Sequence, residues 1–117
     1  MLNRVAHCGL LTSLLLLAGP AFAADAPGPQ ISIRDQQFAP GQLTIPAGTK
    51  IELVVVNEDA LPAEFESYDL SREVVVPGHS QVKIFIGPLD PGKYQFFNDF
   101  HQQSVGWIIV AAPAAAG

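Results

Sequence analysis

The sequence predicts an all-β sandwich of about seven to eight strands, and three observations carry that reading. Short apolar or alternating runs recur along the chain. Gly and Pro, ten of each, punctuate them as turns. Beyond residue 24 no stretch repeats its apolar residues at helical spacing.

The elements follow in order. Ile31–Asp35 alternates apolar and polar residues, as a half-buried strand does. Leu43–Ile45 is a short apolar piece that stops at the turn Pro46-Ala47-Gly48-Thr49. Ile51–Asn57, IELVVVN, is β-branched almost throughout and reads as a buried strand. Asn57-Glu58-Asp59 with Pro62 is a loop. Glu64–Tyr68 and Glu73–Val76 are two further strands, and Pro77-Gly78-His79-Ser80 is a turn. Gln81–Ile86 alternates, and Pro88 to Gly92 is a turn. Lys93–Phe97 and Trp107–Val110 close the set.

The first residues have a different character. Arg4 precedes an apolar run from Gly9 to Leu17, and Ala21-Phe22-Ala23 is a small-x-small cleavage signature. This pattern predicts a secretory signal peptide over 1–23. A flexible segment 24–30, a sandwich domain 31–111 and a disordered tail 112–117 complete the expected organisation. Cleavage removes Met1 and Cys8, the single methionine and cysteine, so the secreted chain holds no sulfur donor and no disulfide. The expected location is the periplasm. No membrane span is expected after cleavage, because no later run is long and apolar enough.

Eleven Asp and Glu against six Lys and Arg give a net charge of −5, and loss of Arg4 makes it more negative. Such a balance argues against nucleic acid or an anionic membrane as partner. It suits a cation, and it also serves plain solubility. No Gly-rich phosphate loop, HExxH or Ser-His-Asp set is present, so no hydrolase or transferase is indicated.

Three stretches carry a resemblance. QFAPGQLTIPAGTKIELVVVN (37–57), NEDALPAEFES (57–67) and PLDPGKYQFF (88–97) with His101 resemble the cupredoxins over nearly the whole predicted domain. The resemblance implies a cupredoxin-like Greek-key β-sandwich. It also implies where copper ligands would stand: a histidine near Ala63, a cysteine at Asn98 and an axial methionine near Ser104 or Val105. Of these donors only the loop His101 remains. A type 1 centre needs a thiolate and two imidazoles, so a blue-copper electron carrier is excluded by its missing atoms.

Glu64-Phe65-Glu66 stands in their place. On a strand, both carboxylates share one face and Phe65 points to the core. Alone, such a pair is an ordinary solvated surface. However, E-[FW]-E at this position resembles the cupredoxin-like domain of EfeO-type iron-uptake proteins. It is also similar to stand-alone FtrB-like proteins that accompany ferrous-iron permeases. In EfeO-type domains the paired glutamates are proposed metal ligands, which carry onto Glu64 and Glu66. The cysteines those domains can add, near Phe38 and at Asn98, are absent here. By the resemblance, Asp99 and His101 complete a carboxylate–imidazole set. Oxygen and imidazole donors suit iron and Cu(II) better than Cu(I). Three carboxylates favour the more highly charged ferric ion.

The remaining candidates have plain structural accounts. Asn98 offers a neutral amide oxygen, Asp99 can cap its turn, and His79 sits in an exposed Pro-Gly turn. Glu58 and Asp59 are expected to form an outer acidic rim. Trp107 and Tyr94 fit packing roles. Three functions stand open at this point. One is an iron-binding protein that assists ferrous-iron uptake, by binding or oxidising iron beside an inner-membrane permease or another periplasmic iron-uptake protein. The second is a periplasmic Cu(II)-binding protein. The third is a metal-free interaction module.

Overall fold

The computed structural model describes residues 28–113. The expected signal peptide, most of the segment 24–30 and most of the tail 112–117 lie outside the described residues. Among the described residues the chain forms nine strands and no helix. They are β1 Gln30–Arg34, β2 Gln37–Ala39, β3 Gln42–Pro46, β4 Ile51–Asn57, β5 Ala63–Ser67, β6 Arg72–Val76, β7 Ser80–Ile86, β8 Gly92–Asn98 and β9 His101–Ala111. No helix there is long and apolar enough to cross a membrane.

The strands build a four-stranded sheet in the order β2-β1-β4-β7 and a five-stranded sheet in the order β3-β9-β8-β5-β6. β1 runs parallel to β4 and β3 parallel to β9, while the other pairs are antiparallel. The neighbours β1–β4, β3–β9 and β5–β8 are distant in sequence, which is the crossing pattern of a Greek key.

Two features depart from the expected set of seven to eight strands. β2 is a three-residue strand with one inward side chain, Phe38, too short to show a period. It returns from β1 through Asp35-Gln36, both at positive φ (51° and 64°). That two-residue turn is held by Asp59, whose carboxylate accepts both turn N–H groups at 2.8 Å. Glu58 pairs with Arg34 at 2.7 Å. Thus Glu58 and Asp59 brace the β1–β2 turn instead of forming an acidic rim. The second feature is β9, which begins at His101 and not near Trp107. His101 therefore opens a strand rather than lying in a loop, and only Asp99-Phe100 separate it from β8. The early half of β9 hides its period because its inward positions are Ser104 and Gly106.

Phe38, Phe65 and Phe96 form the centre of the core. Phe96 lies 4.8 Å from Phe38 and 5.0 Å from Phe65, centroid to centroid. Ile31, Ile33, Leu53, Val55, Ile84, Ile86, Ile108 and Val110 complete it from both sheets. Gly106 lies opposite Phe96 across the β8–β9 ladder, and a Cβ there would meet the Phe96 ring at 2.2 Å. The ring occupies the space a side chain would take.

Candidate metal centre

The candidate site lies on the outer face of the five-stranded sheet, where β5 meets the β8–β9 turn. Phe65 on β5 is fully buried in the core, so its neighbours Glu64 and Glu66 point to the opposite face. Asp99, in the turn, donates its N–H to the Glu64 carbonyl at 3.1 Å. The Glu64 N–H donates to Asn98 Oδ1, also at 3.1 Å. The main chain of Glu64 is thus tied on both sides to the end of β8.

These ties bring three carboxylates together. Glu64, Glu66 and Asp99 each offer an oxygen, and the three oxygens lie within 4.8 Å of one another. A solvated surface pair would leave the carboxylates in water, but Glu64 is only 6 % exposed. Its Oε1 is buried with no hydrogen-bond partner. A buried carboxylate oxygen without a donor is costly, and a cation is one way to satisfy it. Asp99 accepts from Gln102 Nε2 at 3.0 Å, which fixes one of its oxygens.

The electrostatics agree with the geometry. Burial first, then the neighbouring carboxylates of Glu73, Asp99 and Glu66, push Glu64 up to about 7. Glu66 is also raised, by burial and by Asp99 and Glu73, while its hydrogen bond with Glu64 opposes the shift. Among the described residues the ion pairs are Arg34–Glu58 and Lys83–Glu52, and neither reaches this group. Arg72, next to Glu73 on β6, donates to the carbonyls of Phe85, Leu70 and Ser71.

The other candidates fall as follows. His101 is not within the carboxylate group. Its Nδ1 lies 2.9 Å from Ser104 Oγ, which leaves Nε2 as its remaining donor atom. Asn98 is 1 % exposed and acts in the framework: Oδ1 accepts from Glu64 and Phe100, and Nδ2 donates to the Gln36 carbonyl at 3.4 Å. His79 has positive φ (51°) in its turn, where its N–H donates to the Asp59 carbonyl, and it lies away from the carboxylates. Tyr94 Oη donates to the Asp90 carbonyl, and Lys93 lies over the Trp107 ring. The sequence reading missed Glu73, which lies opposite Glu66 on β6. The signal was the β5–β6 hairpin: a tight turn after Ser67 brings Arg72 opposite Ser67 and Glu73 opposite Glu66.

The comparisons agree with this architecture. The family model of the cupredoxin-like domain matches residues 7–110. A Rickettsia prowazekii protein named only as uncharacterised is 39 % identical over 112 residues, covering 86 % of this chain and 90 % of that protein. The iron uptake system component EfeO of Yersinia pseudotuberculosis is 33 % identical over 115 residues, which is 94 % of this chain but 30 % of EfeO. Among solved structures, a purple cupredoxin from Nitrosopumilus maritimus superposes with a TM-score of 0.56 at 21 % identity, over 71 % of this chain and 99 % of that one. That likeness speaks to the fold. With two sheets in this strand order and a family model spanning nearly all of its length, the chain belongs to the cupredoxin-like domain family.

Proposed function

We propose that this chain binds iron through Glu64, Glu66 and Asp99 and serves iron uptake in the periplasm. The observation that carries the reading is the buried, unpartnered Oε1 of Glu64 within a group of three converging carboxylates. His101 contributes at the edge of the site through Nε2. The likeness to an iron uptake component supports iron as the cargo. The partner in this reading is an inner-membrane iron permease or another periplasmic iron-uptake protein. Hard oxygen donors match iron, and they leave Cu(I) poorly served.

The test is an anaerobic titration of the secreted chain with Fe(II) and, separately, Cu(II), with Glu66→Gln beside the wild type. Micromolar binding of Fe(II) that weakens at least about tenfold in the variant, about 1.4 kcal/mol, supports the site. Nitrogen and oxygen sites generally hold Cu(II) more tightly than Fe(II), so copper affinity alone does not decide the cargo. Deletion of the gene decides it: slower growth under iron limitation supports iron, and sensitivity confined to copper supports the copper reading. Binding of neither ion overturns both and leaves an interaction module.

A further inference from the structure

We propose that Glu73 is an additional ligand of the same site, supplied by the edge strand β6, and that it sets a preference for trivalent over divalent cations. The inference rests on the carboxylate site proposed above and adds a residue from a different strand.

Three observations carry it. First, Glu73 is directly opposite Glu66 in the β5–β6 ladder, and Val75 is opposite Glu64. Directly opposed residues share a face, with Cβ atoms about 5 Å apart. Glu73 therefore stands diagonal to Glu64, and its carboxylate is among the charges that raise Glu64. Second, Glu66 and Glu73 line one surface depression of about 340 Å³, with Ser67, Tyr68, Ser71 and Arg72. Glu66 belongs both to this depression and to the carboxylate group, so the depression adjoins the site. Third, the group has no internal cation. Arg72, adjacent to Glu73, spends its guanidinium on main-chain carbonyls, as described above. Like charges placed opposite each other across a ladder are unfavourable, and here Glu73 is opposed to Glu66, a member of the three-carboxylate group in which the buried Glu64 Oε1 lacks a donor.

The valence preference follows from the count. The attraction of an ion for each carboxylate scales with the ion's charge. A divalent ion leaves four carboxylates with an excess of two negative charges, a trivalent ion with one. Removing Glu73 therefore costs a trivalent ion about one and a half times as much free energy as a divalent one.

The experiment uses redox-inert probes, Tb(III) by sensitised luminescence and Mn(II) by paramagnetic relaxation. The proteins are wild type, Glu73→Gln, Glu66→Gln and Glu52→Gln. Glu73 is exposed on an edge strand, so its variant is expected to fold, and circular dichroism checks this. Glu52, on β4 of the other sheet, controls for general loss of negative charge. The expected result is a loss of about tenfold for Mn(II) and about thirtyfold for Tb(III) in Glu73→Gln, with Glu52→Gln unchanged. Equal losses for the two ions overturn the valence preference. A Glu73→Gln protein that binds both ions within about twofold of wild type, while Glu66→Gln is impaired, overturns Glu73 as a ligand and leaves the site standing. Wild type that binds neither ion overturns the site and this inference together.

Discussion

The side-chain oxygen of Asn98 accepts the main-chain N–H of Glu64 at 3.1 Å. Asn98 stands where the cupredoxin resemblance places a metal-binding cysteine, and it is 1 % exposed. Its role here is mechanical. The same oxygen accepts from Phe100, and its amide nitrogen reaches the Gln36 carbonyl. One side chain thus joins β5, the β8–β9 turn and the β1–β2 turn. Asn98→Ala leaves the buried Glu64 N–H without an acceptor, at a cost of about 1–3 kcal/mol. We expect lower stability in urea and weaker metal binding, because Glu64 and Asp99 both hang from this segment. Asn98→Asp keeps the acceptor but adds charge beside Asp99. It should recover less stability than binding, because the buried charge is costly to the fold while it attracts the ion, read by calorimetry on both variants.

The apo protein should lose stability as pH rises. Glu64 is raised to about 7 by burial and by the carboxylates facing it: Glu73 on β6, Asp99 in the turn and Glu66 on its own strand. In the unfolded chain it titrates at about 4.3. Below that value both states hold the proton and the fold keeps its full advantage. Between the two values the native state binds the proton and the unfolded state does not, so stability falls with pH through this window. Thermal unfolding of the metal-free protein between pH 5 and 8 should show the decline, and Glu64→Gln should flatten it. Glu66, also raised, leaves a residual slope. Metal binding has the opposite sign, strengthening with pH because the ion must displace the proton.

The fold was legible where inward positions carry large apolar side chains, and illegible where they do not. IELVVVN and QVKIFI announce their strands by composition. In β9 the inward residues before Ile108 are Ser104 and Gly106, so its first half shows no period. The β1–β2 turn is stabilised by Asp59, which lies 24 residues from Asp35, so no local pattern reveals it. The site divides in the same way. Period two placed Glu64 and Glu66 on one face. The burial of Glu64 arises from the β5–β8 pairing, and the approach of Glu73 from the β5–β6 register, both properties of pairing and not of local sequence.

Gly106 should tolerate no side chain. A Cβ at this position would sit 2.2 Å from the Phe96 ring, which is itself fixed by Phe38 and Phe65. The ring cannot move aside without disturbing that aromatic group. Gly106→Ala should cost about 1–3 kcal/mol, the usual range for overpacking. Chemical denaturation measures it. Gly106→Ala combined with Phe96→Leu should be less destabilised than the sum of the single changes, since the smaller side chain frees the space.

His101 should matter less to the ion than the carboxylates do. Its Nδ1 is engaged with Ser104 Oγ at 2.9 Å, and it stands apart from the group formed by Glu64, Glu66 and Asp99. Only Nε2 is left to reach an ion. His101→Gln should therefore weaken Fe(II) by less than about threefold, against about tenfold or more for Glu66→Gln. Ser104 is 5 % exposed, and Ser104→Ala removes the partner that orients the ring. Losing that hydrogen bond should cost about 0.5–1.5 kcal/mol of stability with little change in Fe(II) affinity. A loss in His101→Gln as large as that in Glu66→Gln would place the imidazole among the principal donors and move the centre of the site toward β9.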